Sequence, residues 1–203
     1  MPRTAARGGP QTRARISEVA TRLFLQRGFD AVTVAEVARE AGVSSVTVFK
    51  HFPRKEDLLL DTGPDAAELL RAAVRDRAAG VDVVASLQET TIRLVDERHS
   101  LSGVKDEGTV AFFRTVAASP ALIARAREIS AELQGILADE LERDPTFTGD
   151  GRLLAAFFLA GYSTVLVETA RRLMAGAPLN DVADDHRARL ERMFDALRGG
   201  VVS

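Results

Sequence analysis

Residues 33–53 read TVAEVAREAGVSSVTVFKHFP, and this stretch predicts two short helices joined by a tight turn. Thr33 followed three residues later by Glu36 is typical of a capping box, so we expect a helix to begin there. Gly42 can adopt the left-handed backbone conformation that ends a helix. Ser44 is a good cap for the helix that follows. The stretch therefore decides the architecture of the N-terminal part of the chain.

The spacing of small and apolar side chains in this stretch indicates how the two helices cross. Ala38 is small at a position where the next helix must pass closely, and Gly42 follows four residues later. Val48, six residues further on, is apolar and is expected to face the crossing, with Val37 and Val43 beside it. This arrangement is typical of a helix-turn-helix, whose second helix is free to enter the major groove of DNA.

The second helix is expected to divide its side chains between a core and a DNA-binding face. We predict that Val48, Phe49 and Phe52 point inward, and that Val46 faces outward, where it can contact a thymine methyl group. Short polar and basic groups that can reach base edges and phosphates are left on the other faces: Ser44, Ser45, Thr47, Lys50 and His51. Hydroxyls of this kind are also common on an ordinary solvated helix face.

A further helix is expected from Arg54 to about Asp61. Lys55 lies in its opening turn, where an ammonium group and free backbone N–H groups can hold a phosphate together.

The distribution of charge favours DNA over a merely solvated face. The whole chain has a formal net charge of -2, but its first 60 residues hold ten Lys and Arg against six Asp and Glu. The remaining residues hold seventeen against twenty-three, so the two parts carry +4 and -6. A basic head on an acidic body indicates that the head alone meets a polyanion.

Composition indicates a globular, all-α protein. The 203 residues are 46% hydrophobic and 28% charged, with Pro confined mostly to the joints. The chain has no Cys, which excludes disulfides, thiol nucleophiles and thiolate metal sites and fits a cytoplasmic location. No signal peptide is recognised, and the apolar stretch at residues 153–167 is shorter than the roughly 20 residues of a membrane span. Catalytic motifs and phosphate-binding glycine loops are also lacking, so we expect no enzyme, no cofactor, no metal site and no membrane partner.

The chain is expected to form about nine helices in three regions. Residues 1–10 are predicted to be a flexible arm, residues 11–56 the helix-turn-helix domain, and residues 57–203 a helical ligand-binding and dimerisation domain. The first helix is expected from about Thr12, and later helices at about 64–77, 83–98, 108–118, 121–143, 151–175 and 181–198. His99, at a helix end, is interpreted as a cap or an exposed group and not as a metal ligand.

Residues 13–60, RARISEVATRLFLQRGFDAVTVAEVAREAGVSSVTVFKHFPRKEDLLL, resemble the DNA-binding domain of the TetR family of bacterial transcriptional regulators. The resemblance implies a homodimer that binds a palindromic operator, usually as a repressor released by a small ligand. It also implies that Thr33, Ser45, Val46, Thr47, Lys50, His51 and Lys55 stand at positions that commonly contact DNA. One departure is Phe49, because the family usually has Tyr there and its hydroxyl often reaches a phosphate.

The flexible arm offers a further DNA contact, since Arg3 and Arg7 can enter an adjacent minor groove. A tail without function is the alternative interpretation.

Beyond the head, the resemblance implies a ligand cavity among the middle helices and a dimer interface built by the last two. The helix at 151–175 is apolar nearly all round, which calls for burial on two sides. The helix at 181–198 carries Leu190, Met193, Phe194 and Leu197 at helical spacing, suited to the same interface. The predicted ligand-binding residues are Phe112, Phe113, Phe157, Tyr162, Thr164 and Glu168.

We expect a lipophilic or aromatic ligand of modest polarity, although each of these side chains can also be an ordinary core residue. The alternative function is an architectural DNA-binding protein that senses nothing.

Overall fold

The computed structural model describes residues 9–201, and within this range the chain forms nine α-helices and no strand. The all-α prediction is confirmed. The helices are α1 (Gly9–Arg27), α2 (Val34–Glu40), α3 (Ser45–His51), α4 (Gly63–Arg75), α5 (Val83–Asp96), α6 (Gly108–Ala117), α7 (Pro120–Arg143), α8 (Gly151–Met174) and α9 (Leu179–Val201). Short 3-10 turns lie at Glu56–Leu58 and Ser100–Ser102.

The chain divides into two compact units. The first contains the residues up to Asp61 together with Arg114–Ala126, and the second contains Thr62–Phe113 and the residues from Arg127 onward. The sequence pattern did not predict that the end of α6 and the start of α7 belong with the N-terminal helices. Two side-chain hydrogen bonds accompany this assignment, from Ser119 to Asp30 and from Arg125 to Asp57.

The first unit is built on the apolar face of α1. Its residues Ile16, Ala20, Leu23 and Phe24 recur at helical spacing and are all buried. The Phe24 ring packs on the Phe29 ring with centroids 5.0 Å apart. α1 contacts both α2 and α3, so one apolar stripe supports the two short helices.

The second unit is organised around α8, which packs against α9, while α5 packs against α4 and α9. Gly161 allows the close approach of α8 and α9, because a Cβ atom there would lie 2.7 Å from Met193 Sδ. Three clusters of buried side chains follow along this unit. One is centred on Leu87, Leu154 and Phe158, and the others are described below with the predicted ligand-binding residues.

Several predicted boundaries are corrected by the structure. The helix expected over residues 54–61 is wrong, because only the 3-10 turn Glu56–Leu58 forms there. α1 begins at Gly9, so Gly9 and Pro10 are helical and not part of a flexible arm. Arg3 and Arg7, which were predicted to enter a minor groove, lie outside the described residues.

The apolar face of α9 also differs from the prediction. Leu190 and Phe194 are fully buried and Leu197 is nearly so, all within their own chain, while Met193 packs beneath them. Leu190, Phe194 and Leu197 therefore offer no free surface to a second subunit, contrary to the prediction, while Met193 is half-buried.

α8 is the helix in residues 9–201 that could cross a membrane by length and composition alone. The 15-residue apolar stretch of the sequence is part of a 24-residue helix, so the argument from length does not hold. Leu154, Ala155, Phe158 and Leu159 of this helix are nevertheless buried in the core of the second unit. One face of α8 is therefore packed into the core of the second unit.

Candidate DNA-binding surface

A complete capping box begins α2, as predicted. Thr33 Oγ1 accepts a hydrogen bond from the Glu36 backbone N–H, and the Thr33 backbone N–H donates to Glu36 Oε2 at 2.8 Å. Arg27 also donates to Glu36 Oε1 at 2.8 Å. The Thr33 backbone hydrogen bond and the Arg27 guanidinium lower the pKa of Glu36 to about 2. Because the Thr33 hydroxyl also donates to Glu36 at 2.9 Å, it holds the helix end in this structure.

The turn between α2 and α3 depends on the left-handed conformation of Gly42. Its φ is +64°, and its backbone N–H donates to Arg39 O at 3.1 Å. The next N–H, of Val43, donates to Ala38 O at 2.9 Å, which completes a Schellman motif. Ala38 is buried, as the close helix crossing requires. The predicted helix-turn-helix geometry is therefore present in the backbone and in the packing.

The Ser44 and Thr47 hydroxyl groups form a hydrogen-bonded pair at the start of α3. Ser44 Oγ accepts from the Thr47 backbone N–H at 3.1 Å, and the two hydroxyl oxygens lie 2.9 Å apart. Each hydroxyl has one donor hydrogen, and their mutual hydrogen bond uses only one of the two. The pair therefore keeps one O–H free to donate to a phosphate or base acceptor while it caps the helix.

The exposed face of α3 combines apolar and basic side chains. Val46 is 80% exposed, as predicted, and Lys50 is exposed beside it. Phe49 is 50% exposed, so the prediction that it points inward is wrong. Val48 and Phe52 are four residues apart, so they share the buried face of α3. Phe49 directly follows Val48, so its side chain points to a different side of the helix. Ser45 and His51 are half-buried at the edges of this face.

Lys55 is held by the first unit itself. Its Nζ donates to Phe29 O at 2.7 Å and lies 4.2 Å from the centre of the Phe29 ring. Burial lowers the pKa of Lys55. Lys55 precedes a 3-10 turn and not an α-helix, so the phosphate site expected at a helix start is not formed. DNA contact by Lys55 stays a prediction that requires its ammonium to leave this carbonyl.

The six predicted ligand-binding residues do not form one site. Phe112 and Phe113 pack together near Leu173, with ring centroids 5.8 Å apart. Tyr162 belongs to another cluster, with Val95 and Val165.

The Tyr162 hydroxyl donates to Leu101 O at 2.7 Å, and burial raises the pKa of Tyr162 to about 12. Phe157, Gly161, Thr164 and Glu168 do share a helix face, but Phe157 is 48% exposed and Thr164 is exposed as well. Glu168 lies 3.8 Å from Arg171.

A buried histidine in the second unit was missed by sequence reasoning. His186 is fully buried, and its Nδ1 lies 2.7 Å from the Thr169 hydroxyl, which donates to Val165 O. His186 Nε2 has no hydrogen-bond partner among the described residues. The signal was its position on α9 between the apolar residues Val182 and Leu190, which marks it as a core position. His99, in contrast, caps the turn at Ser100–Ser102 as expected.

Comparison with known proteins fits this geometry. Residues 16–62 match the family described as bacterial regulatory proteins, tetR family. These residues form a DNA-binding domain of the TetR family. The transcriptional regulator TcmR of Streptomyces glaucescens is 29% identical over 130 residues, which cover 63% of this chain and 58% of TcmR. The chain thus spans little more than half the length of this relative.

Solved structures extend the likeness beyond the N-terminal helices. FadR of Thermus thermophilus, a TetR-family repressor solved with lauroyl-CoA, is 26% identical with a TM-score of 0.56. The match covers 91% of this chain and 92% of that one. SmeT of Stenotrophomonas maltophilia, solved with triclosan, is 17% identical and shares the fold with a TM-score of 0.62 over 92% of this chain and 91% of that one.

Proposed function

We propose that this protein is a sequence-specific DNA-binding transcriptional regulator that represses from a palindromic operator. The observation that carries the proposal is α3, which leaves Val46 and Lys50 exposed on a capped helix-turn-helix. Ser44, Ser45, Thr47 and His51 surround this face, and Thr33 and Lys55 are secondary candidates because the first unit already engages their polar groups. The formal charge of +4 in residues 1–60 supports binding to a polyanion.

A palindromic operator has two half-sites, and a second copy of this chain would bind the second one. On α8, Leu153, Phe157, Ala160, Thr164 and Val167 are all exposed. Their spacing alternates between four and three residues, which is the spacing of a seam between packed helices. We therefore propose that α8 forms the centre of a homodimer interface, and that α9 contributes through residues other than its buried core.

A small lipophilic or aromatic effector is proposed to bind the second unit and to release DNA. The lauroyl-CoA complex of FadR, which is 26% identical to this chain, supports this proposal. Two recognition helices fit successive major grooves only at one separation, so a small displacement of the heads lowers specific affinity. As a DNA-binding regulator, the protein is expected to act in the cytoplasm.

The test is a selection of random duplexes by the full-length protein, followed by affinity measurement at one salt concentration. We expect a palindromic consensus, bound at least about 10³-fold more tightly than random duplex. An architectural DNA-binding protein is the alternative, and a ratio near one would support it. Lauroyl-CoA and triclosan are suitable first probes for release, and stabilisation of the protein by either would show an effector site.

A further inference from the structure

Two apolar side chains stand out on the exposed face of α3. Among the residues that the structure describes, six large hydrophobic side chains are exposed, and Val46 and Phe49 are the two in the first unit. Both occur on a helix whose other exposed groups are hydroxyl or basic. Exposed apolar area on a polyanion-binding surface gains nothing from phosphate contacts, so a different kind of partner must account for it.

The two side chains share one face of the helix. Val46 and Phe49 are three residues apart, which places their Cβ atoms about 5–6 Å from each other. Neighbouring bases along one DNA strand are separated by about 3.4 Å. An α3 helix lying in the major groove therefore brings the two side chains over bases one or two steps apart.

The chemistry of the major groove leaves one apolar feature for these side chains to meet. Thymine carries a 5-methyl group there, whereas guanine, cytosine and adenine present hydrogen-bond donors and acceptors. Lys50 lies four residues after Val46, one turn along the helix, and supplies the charge that brings this face to DNA. Phe49 lacks the hydroxyl that tyrosine would offer a phosphate, so its ring has only apolar contacts to make.

We infer that Val46 and Phe49 together read thymine methyl groups one or two base steps apart in each operator half-site. This inference rests on the proposed function, because it specifies what the same surface recognises. Val46, the more exposed of the two side chains, contacts one methyl group. The Phe49 ring covers the neighbouring one.

The experiment replaces single thymines of the selected duplex by deoxyuridine, which removes the methyl group and leaves every hydrogen bond in place. We expect deoxyuridine at one or two adjacent positions of the half-site to weaken binding about fourfold for each methyl group lost. Deoxyuridine elsewhere in the same duplex should leave the dissociation constant unchanged. Binding is measured at one fixed salt concentration, since affinity for DNA depends steeply on salt.

Protein variants assign each methyl group to a side chain. Val46→Ala should bind more weakly and lose the deoxyuridine effect at one position, and Phe49→Ala should lose it at the other. Phe49→Tyr keeps the ring and should keep the effect. Lys50→Ala is the matched control, because it should weaken binding to the thymine and deoxyuridine duplexes equally. All three substituted positions are exposed, and circular dichroism checks that each variant folds.

The outcomes separate this inference from the proposed function. A selected half-site without thymine, or one in which deoxyuridine has no effect, overturns the inference while sequence-specific binding stands. Retention of the full deoxyuridine effect in both alanine variants overturns it as well. Failure to select any duplex removes the proposed function, and the inference with it.

Discussion

Arg125 Nε of α7 donates to Asp57 Oδ1 at 2.8 Å, and both side chains are largely buried within the first unit. The other carboxylate oxygen of Asp57 accepts the Arg54 backbone N–H at 3.3 Å. Asp57 thus fixes the turn after α3 and attaches it to α7 at the same time. Ser119 makes a second attachment, since its hydroxyl donates to Asp30 at 3.3 Å in the turn after α1.

Loss of this ion pair should destabilise the protein measurably. Arg125→Met leaves the Asp57 carboxylate without its partner in a largely buried place, which we expect to cost about 1–3 kcal/mol of unfolding free energy. Urea unfolding followed by circular dichroism measures the change. Asp57→Asn combined with Arg125→Met should cost less than the sum of the two single changes.

Arg22→Met provides the matched control for this prediction. Arg22 pairs with Glu40 at the same 2.8 Å, but both side chains are 46% exposed. Solvent screening should keep its cost below about 1 kcal/mol. Equal losses in the two arginine variants would contradict the importance of burial.

Local chemistry explains which parts of the DNA-binding surface were predictable from sequence. Thr33, Gly42 and Ser44 act on backbone groups within a few residues of themselves. The sequence therefore predicts that Thr33 and Ser44 cap helices and that Gly42 forms the turn. Phe49 and Lys55 depend on tertiary neighbours. The direction of Phe49 is set by which side of α3 faces α1, and Lys55 is held by Phe29 across 26 residues of chain.

The second unit was harder to predict because α8 is apolar nearly all round. Periodicity cannot then tell Phe158, which is buried, from Phe157, which is exposed beside it. His186 shows the opposite difficulty, since a polar residue occupies a core position that only the packed structure reveals. Helix positions were therefore predicted well, while the inward direction of each helix in this unit was not.

Gly42→Ala should weaken both stability and DNA binding. No atom lies within 4 Å of a Cβ placed at Gly42, so the cost comes from its φ of +64° and not from a steric clash. We expect a loss of about 1–2 kcal/mol in unfolding free energy and a larger proportional loss of specific DNA affinity, because the angle of α3 changes.

Gly135→Ala is the control for Gly42→Ala. Gly135 lies inside α7 with equally open space around its Cβ position, but its backbone is helical. Alanine there should stabilise the protein by about 0.5–1 kcal/mol. If both alanine variants lose unfolding free energy, or both gain it, then backbone conformation does not determine the effect of the substitution.

Phe157→Glu should prevent dimer formation if α8 is the subunit interface. Burying an unpaired carboxylate at the centre of an interface costs several kcal/mol, so we expect the dimer dissociation constant to rise at least about a hundredfold. Sedimentation equilibrium measures it. Val81→Glu is the matched control, because Val81 is also an exposed apolar residue but lies outside every helix. A dimer of unchanged affinity in Phe157→Glu would place the interface elsewhere.

His186 should make the protein less stable in mild acid. Burial lowers the pKa of His186 from 6.5 to about 4, with Asp185 opposing the shift. Between these values the unfolded chain binds a proton that the folded chain does not, so unfolding free energy falls as the pH drops from about 6.5 to 4. The full loss from this group is about 3–4 kcal/mol.

The measurement compares the pH dependence of urea unfolding in the wild type and in His186→Asn, whose amide can still donate to the Thr169 hydroxyl. In the variant, the unfolding free energy should no longer fall between about pH 6.5 and 4 on account of His186. The contribution of Glu36 to the pH dependence should persist. The pKa of Glu36 is lowered to about 2, so its stabilisation is present above about pH 4.5 and is lost only as the pH falls further. A nuclear magnetic resonance titration of folded His186 that gives a pKa above 6 would contradict the assignment.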